Sequence, residues 1–318
     1  MNPISLVSMA FAGFTLLTAS QSLAQEAKID CPSVEFIVGF GAGGGTDLFA
    51  RSIQPRIEEE LGVPVQVLNI TGGSGVVAYR DVMRRPADGC TIFGINTDYV
   101  LLEVTRAAAD LSLLDMSPLV RAHVDIGLLN AVAGGAESFN AMAMMARNEG
   151  RDLLIGGVGA GSFDEGAVMI LMEQADIGYR FIPYDGAQEM HADLLGGRLD
   201  LAYDEVGVML PMAEAGQVRP LLVAFDQRID ALPEVPTAGE LGLSVSPPIW
   251  RGVAVRRETP EDIKQVIASA IEAALGSPQY RAFEIGRSLD IVPGFAGPNS
   301  FQDIIRLEIE NFAASLGN

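Results

Sequence analysis

Apolar residues occupy positions 36, 37, 38 and 40, five glycines fall between positions 39 and 45, and beyond Thr46-Asp47 the apolar positions recur every four residues at Phe49, Ile53, Ile57 and Leu61. The first run predicts a strand buried on both faces and the second an amphipathic helix, with N-cap residue types at its start. The pattern then repeats. Residues 63–70 predict a strand, Thr71-Gly-Gly-Ser-Gly75 a second glycine turn before a helix through Arg84, and Asp88-Gly89 a turn into a strand over 91–95. From about residue 125 a second unit begins. It reads as a helix ending near 148, a strand at 153–155, the glycine turn Gly156-Gly-Val-Gly-Ala-Gly-Ser162 and a helix through Glu173. Strands at 179–183, 199–203 and 218–224 follow, with a helix over 188–195 between the first two. A proline-stiffened connector at 232–237 leads to a returning strand at 246–253, a helix opened by Thr259-Pro260 and a last helix near 301–312. Such alternation predicts α/β sheets with parallel strands, whose ligands sit at the carboxyl ends. The glycine turns and Asn96-Thr97-Asp98 fall on that rim. Two halves built alike and joined by crossing strands predict a clamshell. Residues 25–125 plus 246–318 make one domain and 126–245 the other.

Residues 1–24 contain no charged side chain and end in Ser22-Leu23-Ala24, which reads as a secretory signal peptide, although without the usual basic start. The rest of the 318-residue chain suits two domains at ~100–200 residues each. A net charge of −20 argues against nucleic acid and anionic membrane as partners. Screening over ~8 Å leaves a local nest of N–H donors able to hold an anion at contact. Cys31 and Cys90, the only cysteines, each precede an apolar run, so parallel strands place both at one sheet edge. In an oxidising compartment a disulfide is one reading, and two buried thiols that never meet is the other. His123 and His191 stand apart in sequence and read as surface or packing residues, with no metal expected.

Glycine turns entering helices gather backbone N–H groups at the positive end of a helix, which is anion-binding chemistry. Gly39-x-Gly41-x-x-Gly44 matches a dinucleotide spacing, but the second strand ends in Asn69 where an acidic residue would hold the ribose. No Gly-Lys-Ser/Thr follows for a P-loop and no Gly-x-Ser-x-Gly elbow for a hydrolase. Catalysis finds no support, and neither a cofactor nor a metal is expected.

Gly43-Gly-Gly-Thr-Asp47 with Ala50-Arg51, Gly72-Gly-Ser-Gly75, Pro86-Ala-Asp-Gly89, Pro183-Tyr-Asp-Gly186, Asp193-Leu-Leu-Gly-Gly197, Leu232-Pro-x-Val-Pro-Thr237 and Trp250-Arg-Gly252 come in an order that resembles the substrate-binding proteins of tripartite tricarboxylate transporters, the Bug-type extracytoplasmic solute receptors. The resemblance runs over about residues 33–315. It implies an exported, periplasmic receptor with a two-domain periplasmic-binding-protein fold, clamshell and type II-like. Such a receptor closes on a mono-, di- or tricarboxylate and delivers it to membrane permease subunits, and we expect a monomer. The ligand-holding residues it implies are Gly43, Gly44, Gly45, Thr46 and Asp47 on one side and Gly157, Gly159, Ala160, Gly161 and Ser162 on the other. Asn96, Tyr184, Asp185, Asp204 and Arg251 on neighbouring polar segments complete the candidate set. Arg251 has two readings, a guanidinium pairing with a ligand carboxylate or a brace on backbone carbonyls or Asp98. Asp47 reads as a cap, and Asp185 either meets a ligand amine or fixes its own turn. The family's usual prolines are replaced by Gly39 and Gly41-Ala42, and its frequent serines by Gly156-Gly157. Asp204-Glu205 puts carboxylates where the far end of a ligand would lie, favouring an amine or hydroxyl there. An exported nucleotide-dependent enzyme and a sensory receptor of the same fold are the competing readings.

Overall fold

The computed structural model describes residues 28–105, 110–245 and 247–315, so the expected leader lies outside the described residues. β1 (Val34–Val38) is almost wholly buried and leads through the first glycine turn into α1 (Gly45–Leu61). The apolar stripe of α1 is buried as its spacing predicts, and Gly62, at φ 67°, ends the helix by donating its N–H to Glu58 O. β2 (Val65–Asn69), α2 (Val76–Arg84) and β3 (Thr91–Asn96) follow, with β2 and β3 both parallel to β1. Cys31 and Cys90 precede the neighbouring strands β1 and β3 and are joined in a disulfide, with 5.7 Å between their Cα atoms.

After α3 (Thr97–Val104), β4 (Met116–Asp125) is separated by Ile126 alone from β5 (Gly127–Val132), which lies in a second sheet. There α4 (Phe139–Glu149), β6 (Leu153–Val158), α5 (Phe163–Gln174), β7 (Tyr179–Tyr184), α6 (Ala187–Leu195), β8 (Leu201–Glu205), α7 (Val206–Glu214) and β9 (Val218–Val223) alternate. β10 (Ile249–Arg256) rejoins the first sheet before α8 (Glu261–Leu275), α9 (Pro278–Ile285) and α10 (Pro298–Ser315). The orders are β2-β1-β3-β10-β4 and β7-β6-β8-β5-β9.

The sheets are mixed, which corrects the expectation of parallel strands throughout. β10 runs antiparallel to β3 and β4, and β5 antiparallel to β8 and β9. The reason is that the chain passes out to the second sheet in a nearly continuous strand, β4 into β5, and returns to β10 through an irregular connector rather than a crossover helix, and antiparallel neighbours need no crossover. The first sheet has one continuous core, whereas the second buries a cluster on each face: Leu129, Leu201 and Tyr203 on one side, Leu128, Ala202 and Val206 on the other. Successive residues of β10 also point opposite ways. Trp250 packs edge-on against Phe301 of α10 and donates Nε1–H to Glu308, so Arg251 faces the space between the sheets.

Candidate functional site

The first glycine turn ends with Gly44 as the N-cap of α1, so Thr46 and Asp47 sit inside the first turn rather than at the cap. Asp47 still serves the helix end. Its Oδ2 accepts the Gly43 N–H at 2.9 Å, its Oδ1 accepts Asn69 Nδ2 at 3.0 Å, and it pairs with Arg51 at 2.9 Å. Burial opposes its ionisation, yet Arg51, Gly43 and Asn69 together hold it below the usual carboxylate range. Asn69, which the dinucleotide reading needed as an acid, is spent on this network and on Phe40 O. Among the described residues no acceptor takes the N–H groups of Gly45, Thr46 and Asp47. Gly45 is required by packing, because a Cβ there would collide with the Arg251 guanidinium.

The second glycine turn has the same outline with different occupancy. The Val158 N–H donates to Asp164 Oδ2 at 2.9 Å, Gly161 N–H to Glu165 Oε2 at 2.6 Å, and Gly159 N–H to Tyr184 O at 2.8 Å. At the head of α5 the Phe163 N–H donates 2.9 Å across to Asp98 Oδ1 on α3. Ser162 caps α5 through its hydroxyl, which accepts from Glu165 N–H. Further bonds tie the two halves: Ser74 Oγ to Ala160 O at 2.8 Å, and Gly41 N–H to Asp185 O at 3.2 Å. Gly41 and Gly186 press together there, since a Cβ on either would meet the Cα of the other at 2.7 and 2.9 Å.

Arg251 lies between the halves and is 2% exposed. Its Nη2 donates to Glu205 Oε1 at 2.6 Å and its Nε to Thr46 Oγ1 at 3.3 Å. Nη1 is 3.7 Å from Asp125 Oδ2, beyond hydrogen-bond reach, and has no partner. Asp125 also holds the crossing: its Oδ1 accepts the N–H groups of Ile126 and Gly207. Around this cation stand Asp98, Asp164, Asp204 and Glu205. Burial, with repulsion from Glu205, pushes Asp98 up to about 6. Burial and the same neighbour push Asp125 up to about 7 against the pull of Arg251. Asp164 is raised well above the usual range by burial and then by Glu205, Asp204 and Asp98, and Asp204 by burial and Glu205. Burial works against Glu205 too, but Arg251 and Asp204 outweigh it and keep it low. His191 Nε2 meets Asp204 Oδ2 at 2.7 Å, and burial lowers its basicity.

These groups line a narrow cleft between the sheets, with a free volume of only ≈ 30 Å³. Of the candidates read from the sequence, Gly44, Gly45, Thr46, Asn96, Asp204 and Arg251 line it. Gly43 and Asp47 stand behind them as support. Gly157, Gly159, Ala160, Gly161 and Ser162 do not line it; Val158 and Asp164 do, because the turn's amides are folded back onto acids of the chain. Tyr184 and Asp185 are also outside the lining, the first bonded to Asp193 and the second placing its carbonyl on Gly41. Arg251 is a brace, but on Glu205 and Thr46 rather than on Asp98 or backbone carbonyls. His191 is not on a solvated face: the side chain is mostly covered and turned to Asp204. Sequence reasoning missed Phe40, Asp98, Asp164 and Ala187 as lining. Asp98 and Asp164 carried a signal, an acid just inside a helix that follows a rim segment.

The sequence profile of the family described as "Tripartite tricarboxylate transporter family receptor" matches residues 49–311. The UPF0065 protein in the tcbD-tcbE intergenic region of Pseudomonas sp. (strain P51) is 29% identical over 314 residues, covering 95% of this chain and 91% of that protein. A Rhodopseudomonas palustris protein solved with adipate is similar at TM-score 0.78 and 27% identity, over 88% of this chain and 94% of that one. MatC from Rhodopseudomonas palustris, solved with bound malate, is similar in fold at TM-score 0.78 and 23% identity, over 89% and 98%.

Proposed function

Because the chain belongs to the tripartite tricarboxylate transporter receptor family, we propose that it is exported to the periplasm, captures a small carboxylate in the interdomain cleft and delivers it to membrane permease subunits without catalysing a reaction. The observation that carries this reading is the pairing, at one end of the cleft, of unaccepted N–H groups on α1 with the Arg251 guanidinium, which lies over Gly45. A helix N-terminus and a guanidinium are both donors suited to a carboxylate, and in a water-poor site their attraction is strong. The adipate bound by the Rhodopseudomonas palustris relative is in keeping with it.

We assign residues 25–125 with 246–318 to one domain and 126–245 to the other. The single-residue passage at Ile126 and the return into β10 support this division. Closure is bound up with binding, since Asp98 on Phe163, Ser74 on Ala160 and Arg251 on Glu205 all join the two halves. The test is thermal unfolding of the protein with a panel of mono-, di- and tricarboxylates, amino acids and nucleotides. A carboxylate-bearing ligand at 100 times its dissociation constant adds about 2.7 kcal/mol. Stabilisation by nucleotides and by no carboxylate would overturn the reading.

A further inference from the structure

The cleft gathers more carboxyl groups than a plain dicarboxylate has use for. Asp98, Asp164, Asp204 and Glu205 line it against one guanidinium, and that guanidinium is already bonded to Glu205. Asp164 feels the charges of the other three directly. Two buried side-chain atoms of lining residues have no partner, and they are of opposite kind. Arg251 Nη1 is a donor, and Asn96 Oδ1, on a residue 4% exposed, is an acceptor. The Asn96 amide is oriented by its own bond, Nδ2 donating 2.9 Å to Asp98 Oδ2, which leaves the oxygen open. A buried polar atom without a partner marks a place for a ligand or water. A dicarboxylate brings acceptors only, so it would leave Asn96 Oδ1 unpaired and set a second negative charge beside Asp98 and Asp164.

We propose that the ligand is zwitterionic: its carboxylate lies on the first-turn amides of α1 beside the Arg251 guanidinium, and a protonated nitrogen lies among Asn96 Oδ1, Asp98 and Asp164. This rests on the carboxylate reading above and adds a second pole to it. A compact metal ion does not suit the second pole, because among the described residues no three cleft carboxylates bring an oxygen each within 4.8 Å of one another. An organic cation, which spreads its contacts over several acceptors, does suit it. Asp98 and Asp164 are further fixed by backbone donors, Phe163 N–H and Val158 N–H, so they are held in place before the ligand arrives. A cation beside these buried acids favours their ionised forms, so binding releases protons.

Calorimetric titration of the protein tests this with length-matched probes: β-alanine against succinate, 4-aminobutanoate against glutarate and 5-aminopentanoate against adipate, with α-amino acids and simple alkylamines beside them. At least one amino acid binds tenfold or more tighter than the dicarboxylate of its length, and releases protons as judged from buffers of different ionisation enthalpy. Asp164→Asn cuts that preference tenfold. The probe series on the unaltered protein decides the matter even where that variant fails to fold. A dicarboxylate that binds tighter than every amino acid overturns the cationic pole and leaves the carboxylate reading standing. Alkylamines that bind as tightly as the amino acids overturn the carboxylate pole and leave the cationic one. Binding of none of these probes overturns both.

Discussion

The turn before α1 and the turn before α5 share one outline, a buried strand, a run of glycines and a helix N-terminus, and both open on the same cleft. In the first, the helix amides are left open and a guanidinium lies over Gly45. In the second, Asp98, Asp164 and Glu165 have taken the amides of Phe163, Val158 and Gly161. One turn therefore offers positive potential to the cleft, and the other has the amides of Val158, Gly159, Gly161 and Phe163 filled and presents acids instead. The difference teaches that a glycine turn is a frame for charge rather than a charge in itself. Which sign it shows depends on whether side chains of the same chain fill its donors first.

The largest test of the first half is Arg251→Ala. It leaves Glu205 and Asp125 buried without their cation, which costs about 3–5 kcal/mol and a melting temperature lowered by roughly 6 °C or more. Carboxylate binding is lost with it, and denaturation with titration reads both. Gly45→Ala is milder for stability and aimed at binding. The added Cβ displaces the guanidinium from the helix end, so affinity for a bound carboxylate drops at least tenfold by calorimetry, whereas the same change at half-buried Gly166, where a Cβ meets nothing, leaves it unaltered.

The acids of the second half predict a pH dependence. A carboxyl raised in the folded state contributes stability that is fully present below its unfolded value of 3.8 and lost as pH rises through the folded value. His123 and His191, both lowered by burial, oppose this only below their ordinary 6.5. Above pH 6.5, then, Asp125 makes stability fall as pH rises through its folded value of about 7. Thermal unfolding across that window shows the slope, and Asp125→Asn flattens it. The smallest effect belongs to Glu165→Gln on the exposed side of the second turn, which changes stability by less than about 0.5 kcal/mol. Carboxylate affinity stays the same as well; tighter binding from that variant would mean that the second turn is an anion site after all.

Much of this was legible in the chain. The four-residue stripe of α1, the glycine turns and the edge shared by Cys31 and Cys90 follow from periodicity and placement, and all appear as read. α3 and α7 carry almost no polar face, since Asp98 and Thr97 are buried along with Tyr99 and Val100, so no helical period marks them. β4 and β5 are buried on both faces and meet at Ile126 without a turn residue, which hides both the strands and the crossing. The site was half legible for a related reason. That the amides of the second turn are filled depends on Asp98, 65 residues from Phe163, and on which way Asp164 folds back, neither of which is a property of the local sequence. Arg251 likewise stands out as a lone charge after Trp250, but its partner Glu205 comes from the other sheet.

The most direct test is a crystal structure of the protein with the tightest-binding carboxylate probe. The account predicts its carboxylate within hydrogen-bond distance of the Gly45, Thr46 or Asp47 N–H groups and of the Arg251 guanidinium, with Asp98 still on Phe163 and Asp164 still on Val158. A carboxylate seated instead on the amides of residues 159–163, with Asp98 displaced from Phe163, would contradict it.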